Sequence, residues 1–532
     1  MGIPSYFSHI VRKHRSILVK YESSRMAIHN LYMDCNSLIY DSIYEYEKTE
    51  ASSQTIAEIE TMIIKMVCEK IIHYITLLSP QNNVFIAFDG VAPIAKLEQQ
   101  KNRRYKSWLE KDLREKMGIN VGSKFDTVAI TPGTEFMNKL NKAINKRFAE
   151  PSKYSLKKLI VSTSDEPGEG EHKLYKYIRD NAEEHKDYTT VIYGLDADLI
   201  MLTLNHLHIA DSMFLFRETP HFIKSLDKSL NPNSDYLMDI PKFATALSYD
   251  LNDNCKPETS QKLNRIFDYI LLCFFMGNDF LPHFPSLNIR TTGIDRIMDA
   301  YKSVVGNTNE NLTEGDSIKW KNLRKVIMLL SCSEEKLIHE EYQIREKQSR
   351  GTRNRCTEME DRLTSIPMLD RSVELYINPY EAGWEERYYQ RLFDIKIDDA
   401  RRKDICVNYL EGLEWTLKYY TTGCSDWRWT YKYNYPPLLK DLVKYMPAFD
   451  VNFIEHIPPA PVAPLVQLSY VIPRKSLYLL PDKLREQLLT KHNDSYSEDY
   501  EIEWAYCRYF WESHVKFHDT DIGLLETLVE SL

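Results

Sequence analysis

The sequence predicts an α/β fold: a mostly parallel central sheet flanked by helices, with a second, aromatic-rich and mainly helical lobe packed on it. Three observations carry the prediction. Over the first 300 residues, short apolar or β-favouring runs alternate with longer amphipathic stretches. Such strand–helix alternation builds parallel sheets covered on both faces. After about Leu375 the composition shifts, with frequent Trp and Tyr and prolines clustered at Pro436-Pro437 and from Pro458 to Pro464.

Taken in order, Asn30–Met33, Val84–Phe88, Leu159–Val161 and Val191–Tyr193 read as buried strands. Thr55–Leu78 and His172–Asn181 read as helices between them. Residues 301–380 are polar, charged and weakly periodic, and read as a helical connector with Gln348–Arg353 as an exposed loop. The expected division is therefore 1–300 for the sheet domain, 301–380 for the connector and 381–532 for the second lobe.

Composition excludes several classes. Of 532 residues, 43% are hydrophobic and 27% charged, which rules out disordered and collagen-like chains. The best apolar run, Tyr269–Met276, is far shorter than the roughly 18 residues of a membrane span. The N-terminus lacks the apolar core of a signal peptide, and Tyr6 breaks the myristoylation pattern that Met1-Gly2 begins. Nine cysteines without a CxxC pair predict reduced thiols and no zinc site. A cytoplasmic chain is expected, with the nucleus as the alternative. The net charge of −9 argues against a protein that coats nucleic acid, yet it permits one local basic groove.

Three predicted strands run directly into acids: Asp34, Asp89, and the Asp196/Asp198 doublet. A fourth leads into Pro167-Gly168-Glu169-Gly170-Glu171-His172, and Asp279 follows the apolar run ending at Met276. Residues just past the carboxyl ends of parallel strands converge on one crevice. A single Asp there is ordinarily a turn or cap residue. Five such places, two of them acid doublets at i and i+2, point instead to a built site. Seven crowded carboxylates require compensating cations. Oxygen ligands without Cys favour Mg²⁺ or Mn²⁺. Two such ions are the usual apparatus for in-line phosphodiester hydrolysis.

After Asp89, the residues Lys96, Gln100, Arg103 and Arg104 fall at i, i+4, i+7 and i+8, on one helical face. Such a face can hold a phosphate through charge-assisted hydrogen bonds. A solvated Lys/Glu helix is the bland alternative, and Glu98, Glu110 and Glu115 suit it on the outer face. Position just after a metal-ligand candidate favours a terminal-phosphate pocket. In the second lobe, Trp415, Tyr419, Tyr420 and Trp427 to Tyr435 form an aromatic cluster. Most of these rings are expected in the core, with one or two free to stack on bases.

Met1–Pro4, Leu31–Asn36, Asp89–Arg104, Pro167–Lys173, Tyr193–Met201 and Gly277–Pro282 resemble the Xrn family of 5′→3′ exoribonucleases. Gly383–Tyr389 and Gly423–Pro436 resemble that family's second nuclease segment. The resemblance implies a PIN/flap-nuclease-like core and processive release of 5′-mononucleotides from single-stranded RNA bearing a 5′-monophosphate, as in mRNA decay. It implies that Asp34, Asp89, Glu169, Glu171, Asp196, Asp198 and Asp279 bind two metal ions in the family manner, Mg²⁺ or Mn²⁺. It implies that Lys96, Gln100, Arg103 and Arg104 hold the 5′-phosphate. Tyr40 stands where the family usually has a stacking His, so Tyr40 with Trp427 or Trp429 is the expected base sandwich. Set against the resemblance, a compact member is expected, without the large C-terminal domains of the large cytoplasmic members or the zinc knuckle near Cys255 of some nuclear ones. A monomer, with a decapping enzyme acting upstream as partner, is expected. Two alternatives stay open. One is a flap-type DNA nuclease, although no glycine-rich helix-hairpin-helix follows Asp279. The other is an inactive RNA-binding scaffold.

Overall fold

The computed structural model describes residues 1–532 except 1, 2, 4, 23–25, 49–53, 120–124, 221–222, 253–254, 256, 307, 396–397, 500 and 519. Of the opening Met1–Pro4 segment, only Ile3 lies within the described residues. Seven strands form the main sheet: β1 (Leu18–Lys20), β2 (Asn30–Asp34), β3 (Asn83–Ala87), β4 (Lys158–Ser162), β5 (Thr190–Tyr193), β6 (Met213–Phe216) and β7 (Tyr236–Asp239). Their order is β1-β7-β6-β5-β2-β3-β4. From β4 to β6 the neighbours are parallel, while β7 and β1 extend the β6 edge in antiparallel pairing. The four strands read from sequence, β2 to β5, are contiguous and run out to the β4 edge of the sheet. Leu159–Val161, read as a buried strand, is only partly buried because β4 is that edge. β1, β6 and β7, at the other end of the sheet, were not read.

The helices that accompany the sheet include α1 (Tyr6–Lys13), α2 (Asn36–Glu47), α3 (Ile56–Leu78), α4 (Ile94–Lys116), α5 (Glu135–Arg147), α6 (Gly170–Asp180), α7 (Ala182–His185) and α8 (Asp198–His206). The start of α3 is fixed by a capping box in which the Thr55 hydroxyl accepts from the Glu58 amide and the Glu58 carboxylate accepts from the Thr55 amide. Ile59, Ile63, Val67 and Ile71 then recur every four residues, giving α3 one buried stripe.

The two-residue period of the strands sorts their side chains cleanly. Leu31, Met33, Val84, Ile86, Val191 and Tyr193 join α2, α3 and α5 in one core. Tyr32, Phe85, Ala87 and Ile192 face a second core with α1, α6 and α8. This second core also contains Tyr409, Leu413, Trp415, Tyr419 and Tyr420 of the helix Asp399–Thr421. The fully buried Trp415 ring meets Phe280 edge-on at 4.9 Å between centroids. The aromatic part of the chain therefore shares its core with the sheet domain.

One local expectation needs correction. Gln348–Arg353, read as an exposed loop, lies inside the helix Glu334–Arg355. Arg345 on that helix is fully buried and forks onto Glu374, which Arg371 also engages at 2.6 Å. Glu341 and Ser349, four residues either side of Arg345, are buried on the same face. The anchored face outweighs the roughly 1 kcal/mol that Gly351 costs a helix.

Candidate nuclease site

The register explains why the acids converge. Met33 pairs with both Ile86 and Tyr193, so β2, β3 and β5 end at one level. Asp34 closes β2, Asp89 lies two residues past β3, and Asp196 follows β5. Next to them, Gly168 adopts φ +107°, a conformation natural to glycine, and its amide donates to the Val91 carbonyl at 2.7 Å. This turn delivers Glu169 as the residue preceding α6 and Glu171 in its first turn. The Gly170 amide, at the positive end of α6, donates to Asp89 Oδ1 at 2.7 Å. A Cβ at Gly170 would lie 2.6 Å from Asp34 Oδ1, so glycine is what lets these carboxylates approach the helix.

A cavity of about 280 Å³ opens on this edge. Its walls include Asp34, Asp89, Glu169, Glu171, Asp196 and Asp279 together with Lys96, Gln100, Arg103, Arg104 and Tyr40. Six of the seven predicted acids and the whole basic stripe thus share one cavity. The seventh acid, Asp198, is buried at the start of α8. Asp198 couples electrostatically to Asp279 and to the Tyr420 hydroxyl.

Lys96 does not stand apart from the acids. Its ammonium donates to Asp279 Oδ2 at 2.8 Å and ion-pairs with Glu169. Burial alone would lower its pKa, but Asp279, Glu169 and Glu171 raise it well above the ordinary lysine range. Conversely, burial would raise the Asp279 carboxyl, and Lys96 holds it below the usual carboxylate range. Glu169, Asp34, Glu171 and Asp198 behave oppositely: burial raises even Glu169, although Lys96 pairs with it. Burial, then Asp89 and Asp196, push Asp34 well up. Burial, then Glu169 and Asp198, do the same to Glu171, and burial with Asp279 pushes Asp198 up to about 7.

Such a site needs more positive charge than the protein supplies. The residues fit a hard cation. Asp34 Oδ1 and Glu171 Oε2 are buried acceptors without a hydrogen-bond donor among the described residues. The anionic ligand atoms lining the cavity are all carboxylate oxygens. Ligand atoms of Glu169, Glu171 and His172 lie within 4.8 Å of one another.

The basic stripe is less uniform than its spacing suggests. Arg103 is exposed. Arg104 is buried and donates to the carbonyls of Val128 and Ile130, both at 3.3 Å. Gln100 is buried beside Gln467, which donates to its Oε1 at 3.4 Å. Tyr40 is 40% exposed at the cavity wall.

The tryptophans do not reach this cavity. Trp429 is buried, stacked on Trp415 at 5.2 Å, with its indole N–H donating to Glu411 at 3.3 Å. Gly412 leaves the space for it, so Trp429 belongs to the core rather than to a base sandwich. Trp427 is half-buried, and its carbonyl accepts from the Ile94 amide at the start of α4.

Several residues were not singled out from sequence. The Tyr419 hydroxyl donates to Glu169 Oε1 at 2.6 Å, and its ring lies 3.7 Å from that of His172. Asn36 clamps Asp89 from both sides, donating to its carboxylate and accepting from its amide at 3.1 Å. Lys173 donates to the carbonyls of Phe88 and Thr163, both at 2.8 Å, tying two strand ends together, and burial lowers its pKa to about 8. The Tyr419-Tyr420 doublet was visible as part of the aromatic cluster, but nothing in spacing assigned it to the acids.

Comparison with known proteins agrees with this arrangement. Residues 1–219 match the model of the XRN 5′-3′ exonuclease N-terminus, and residues 260–374 and 372–529 match that of the Xrn1 helical domain. The chain is 28% identical to the 5′-3′ exoribonuclease 2 of Gallus gallus, over 96% of this chain and 68% of the relative. It is 27% identical to the enzyme of that name from Arabidopsis thaliana, over 91% and 60%. It is 26% identical to the 5′-3′ exoribonuclease 1 of Saccharomyces cerevisiae, over 91% and 40%. The chain thus spans about two thirds or less of the length of these relatives. With its strand-end acids, its basic α4 face and matches over both halves, the chain belongs to the XRN family of 5′-3′ exonucleases.

Proposed function

We propose that the chain is a 5′→3′ exoribonuclease acting in RNA decay, which hydrolyses single-stranded RNA with a 5′-monophosphate to mononucleotides. The observation that carries this reading is one cavity that gathers six of the seven predicted acids together with Lys96, Gln100, Arg103 and Arg104. An end-recognising nuclease needs that juxtaposition, with a terminal-phosphate pocket at a fixed distance from the hydrolytic centre.

In this reading Asp34, Asp89, Glu169, Glu171, Asp196, Asp198 and Asp279 would hold two Mg²⁺ or Mn²⁺ ions. Bound there, the ions supply an activated water and charge neutralisation at the scissile phosphate. The chain's own groups orient these ligands. Asn36 and the Gly170 amide fix Asp89, Tyr419 fixes one oxygen of Glu169, and Lys96 holds Glu169 and Asp279 in place. Arg103, the exposed member of the stripe, meets the terminal phosphate first, and Tyr40 supplies a ring for the first base. Residues 1–300 carry both half-sites, 301–380 act as connector, and 381–532 complete the crevice. A monomer with a decapping enzyme upstream suits a pocket for a bare monophosphate. Among the described residues no helix is long and apolar enough to cross a membrane. A cytoplasmic location, or a nuclear one, is proposed.

The test is degradation of labelled 5′-monophosphate RNA with Mg²⁺ and with EDTA, by wild type and by Asp196→Ala. Loss of degradation in EDTA and in the variant, with RNA binding retained, is expected. Undiminished cleavage by Asp196→Ala would remove the metal-site assignment.

A further inference from the structure

Most rings of the C-terminal third are buried, but Tyr509 and Trp511 are 39% and 47% exposed. Tyr509 is extended (φ −120°, ψ 154°) and leads into the short 3₁₀ turn Phe510–Glu512, in which Phe510 is buried while Trp511 stays exposed. The two rings are parallel within 11°, with centroids 6.1 Å apart. The Arg290 guanidinium lies 5.5 Å from the Tyr509 ring centre and 5.9 Å from that of Trp511. The Arg508 guanidinium lies 5.4 Å from Tyr509. Glu512 fastens the group by ion-pairing with Arg290 and accepting from the Arg508 amide at 2.7 Å.

This cluster is tied to the helix that carries the phosphate stripe. Lys106 of α4 donates to the carbonyls of Trp511 at 2.6 Å and Ser513 at 2.5 Å. Asn102 accepts from the Val515 amide at 3.3 Å. Asn102 and Lys106 flank Arg103 and Arg104, and Lys106 lies ten residues beyond Lys96, about 15 Å along the helix. Single exposed rings are ordinary on protein surfaces. Two parallel rings lined by two guanidiniums, anchored to another face of the helix that carries the stripe, are a more specific arrangement. The described residues of 501–521 add no exposed large aliphatic side chain, and Met359, on the helix Met359–Thr364 that packs against Phe510–Glu512, is the exposed apolar residue of the neighbouring element.

We propose that Tyr509, Trp511, Arg290 and Arg508 form a second strand-binding surface. On it, single-stranded RNA outside the catalytic crevice stacks its bases while the guanidiniums meet its phosphates. The identity of the strand rests on the exoribonuclease reading above; the surface itself is tested without hydrolysis. Binding of 5′-monophosphate RNAs of about four and about fifteen nucleotides, lengths that bracket a typical single-strand site, is measured by fluorescence anisotropy in EDTA. The proteins compared are wild type, Tyr509→Ala/Trp511→Ala, Trp511→Phe and Phe449→Ala, whose ring is 69% exposed elsewhere. Thermal melts establish that each variant is folded. For the double variant, affinity for the longer RNA is expected to fall at least about tenfold more than for the shorter one. Trp511→Phe should recover most of that loss, and Phe449→Ala should keep the wild-type ratio. An unchanged ratio in the folded double variant would overturn the proposal and leave the rings to a protein partner. Failure of wild type to degrade RNA would instead count against the exoribonuclease reading alone.

Discussion

Replacing Lys96 with Met tests whether the acids depend on an internal counter-charge. The ammonium, 13% exposed, touches Glu169 and Asp279, whose side chains are 6% and 5% exposed. Removing one partner of a buried pair costs about 3–5 kcal/mol, because the other charge is left uncompensated. Lys96→Met should therefore lose about that much stability in EDTA at pH 8, read as a lower unfolding midpoint in urea. The pH dependence has a definite sign. Without Lys96, Asp279 and Glu169 have raised folded-state pKa values, so the folded state binds protons that the unfolded state has released. The deficit is then small near pH 5 and grows as pH rises through those values. Divalent cations meet the same need, and saturation at a hundredfold excess over the dissociation constant returns about 2.7 kcal/mol. A Lys96→Met protein as stable as wild type in EDTA at pH 8, with no response to Mn²⁺, would refute the counter-charge role.

Other outcomes follow from single contacts. Tyr419→Phe removes a donor to Glu169 and should cost about 1.5–3 kcal/mol, the range for a hydrogen bond to a charged group, in denaturant melts without metal. His206 is held neutral: its Nδ1–H donates to the Leu202 carbonyl at 2.7 Å and its Nε2 accepts from Arg179 at 2.9 Å. Burial and Arg179 lower its pKa to about 3. Its contribution is complete above about pH 6.5 and is lost as pH falls toward 3, so His206→Gln should flatten the acid limb of stability by about 1.4 kcal/mol per pH unit. Tyr40→Ala should raise early release from long RNA in a processivity assay, whereas Tyr40→His should behave nearly as wild type. Equal processivity of Tyr40→Ala and wild type would make Tyr40 a packing residue.

β2, β3, β4 and β5 were legible because they are apolar runs closed by acids or turns. The other end of the sheet was harder: β1 is three residues long with Val19 exposed, and β7 pairs antiparallel, so neither carries a buried-strand signature. Gln348–Arg353 misled because polar residues on a helix held by buried ion pairs resemble a loop in composition. At the site, the acids and the stripe could be read because each follows a strand end or keeps helical spacing. Their mutual contacts could not. That Lys96 turns toward Glu169 and Asp279, or that Tyr419 reaches Glu169 from 250 residues away, depends on how the helix Asp399–Thr421 packs against α8. The burial of Trp429 depends on Gly412, a long-range fit that no local pattern encodes.

The most direct measurement is a time course on one RNA sequence prepared with 5′-monophosphate, hydroxyl, triphosphate and capped ends, using wild type and Arg103→Ala/Arg104→Ala. Arg103 offers a free guanidinium at the cavity, so a monophosphate gains charge-assisted bonds worth about 1.5–3 kcal/mol each that a hydroxyl lacks. Wild type should degrade the monophosphate RNA at least about tenfold faster than the other three. The double variant should lose most of its preference over the hydroxyl end. Equal rates of wild type on monophosphate and hydroxyl ends would contradict the pocket and reduce the α4 stripe to a solvated helix face.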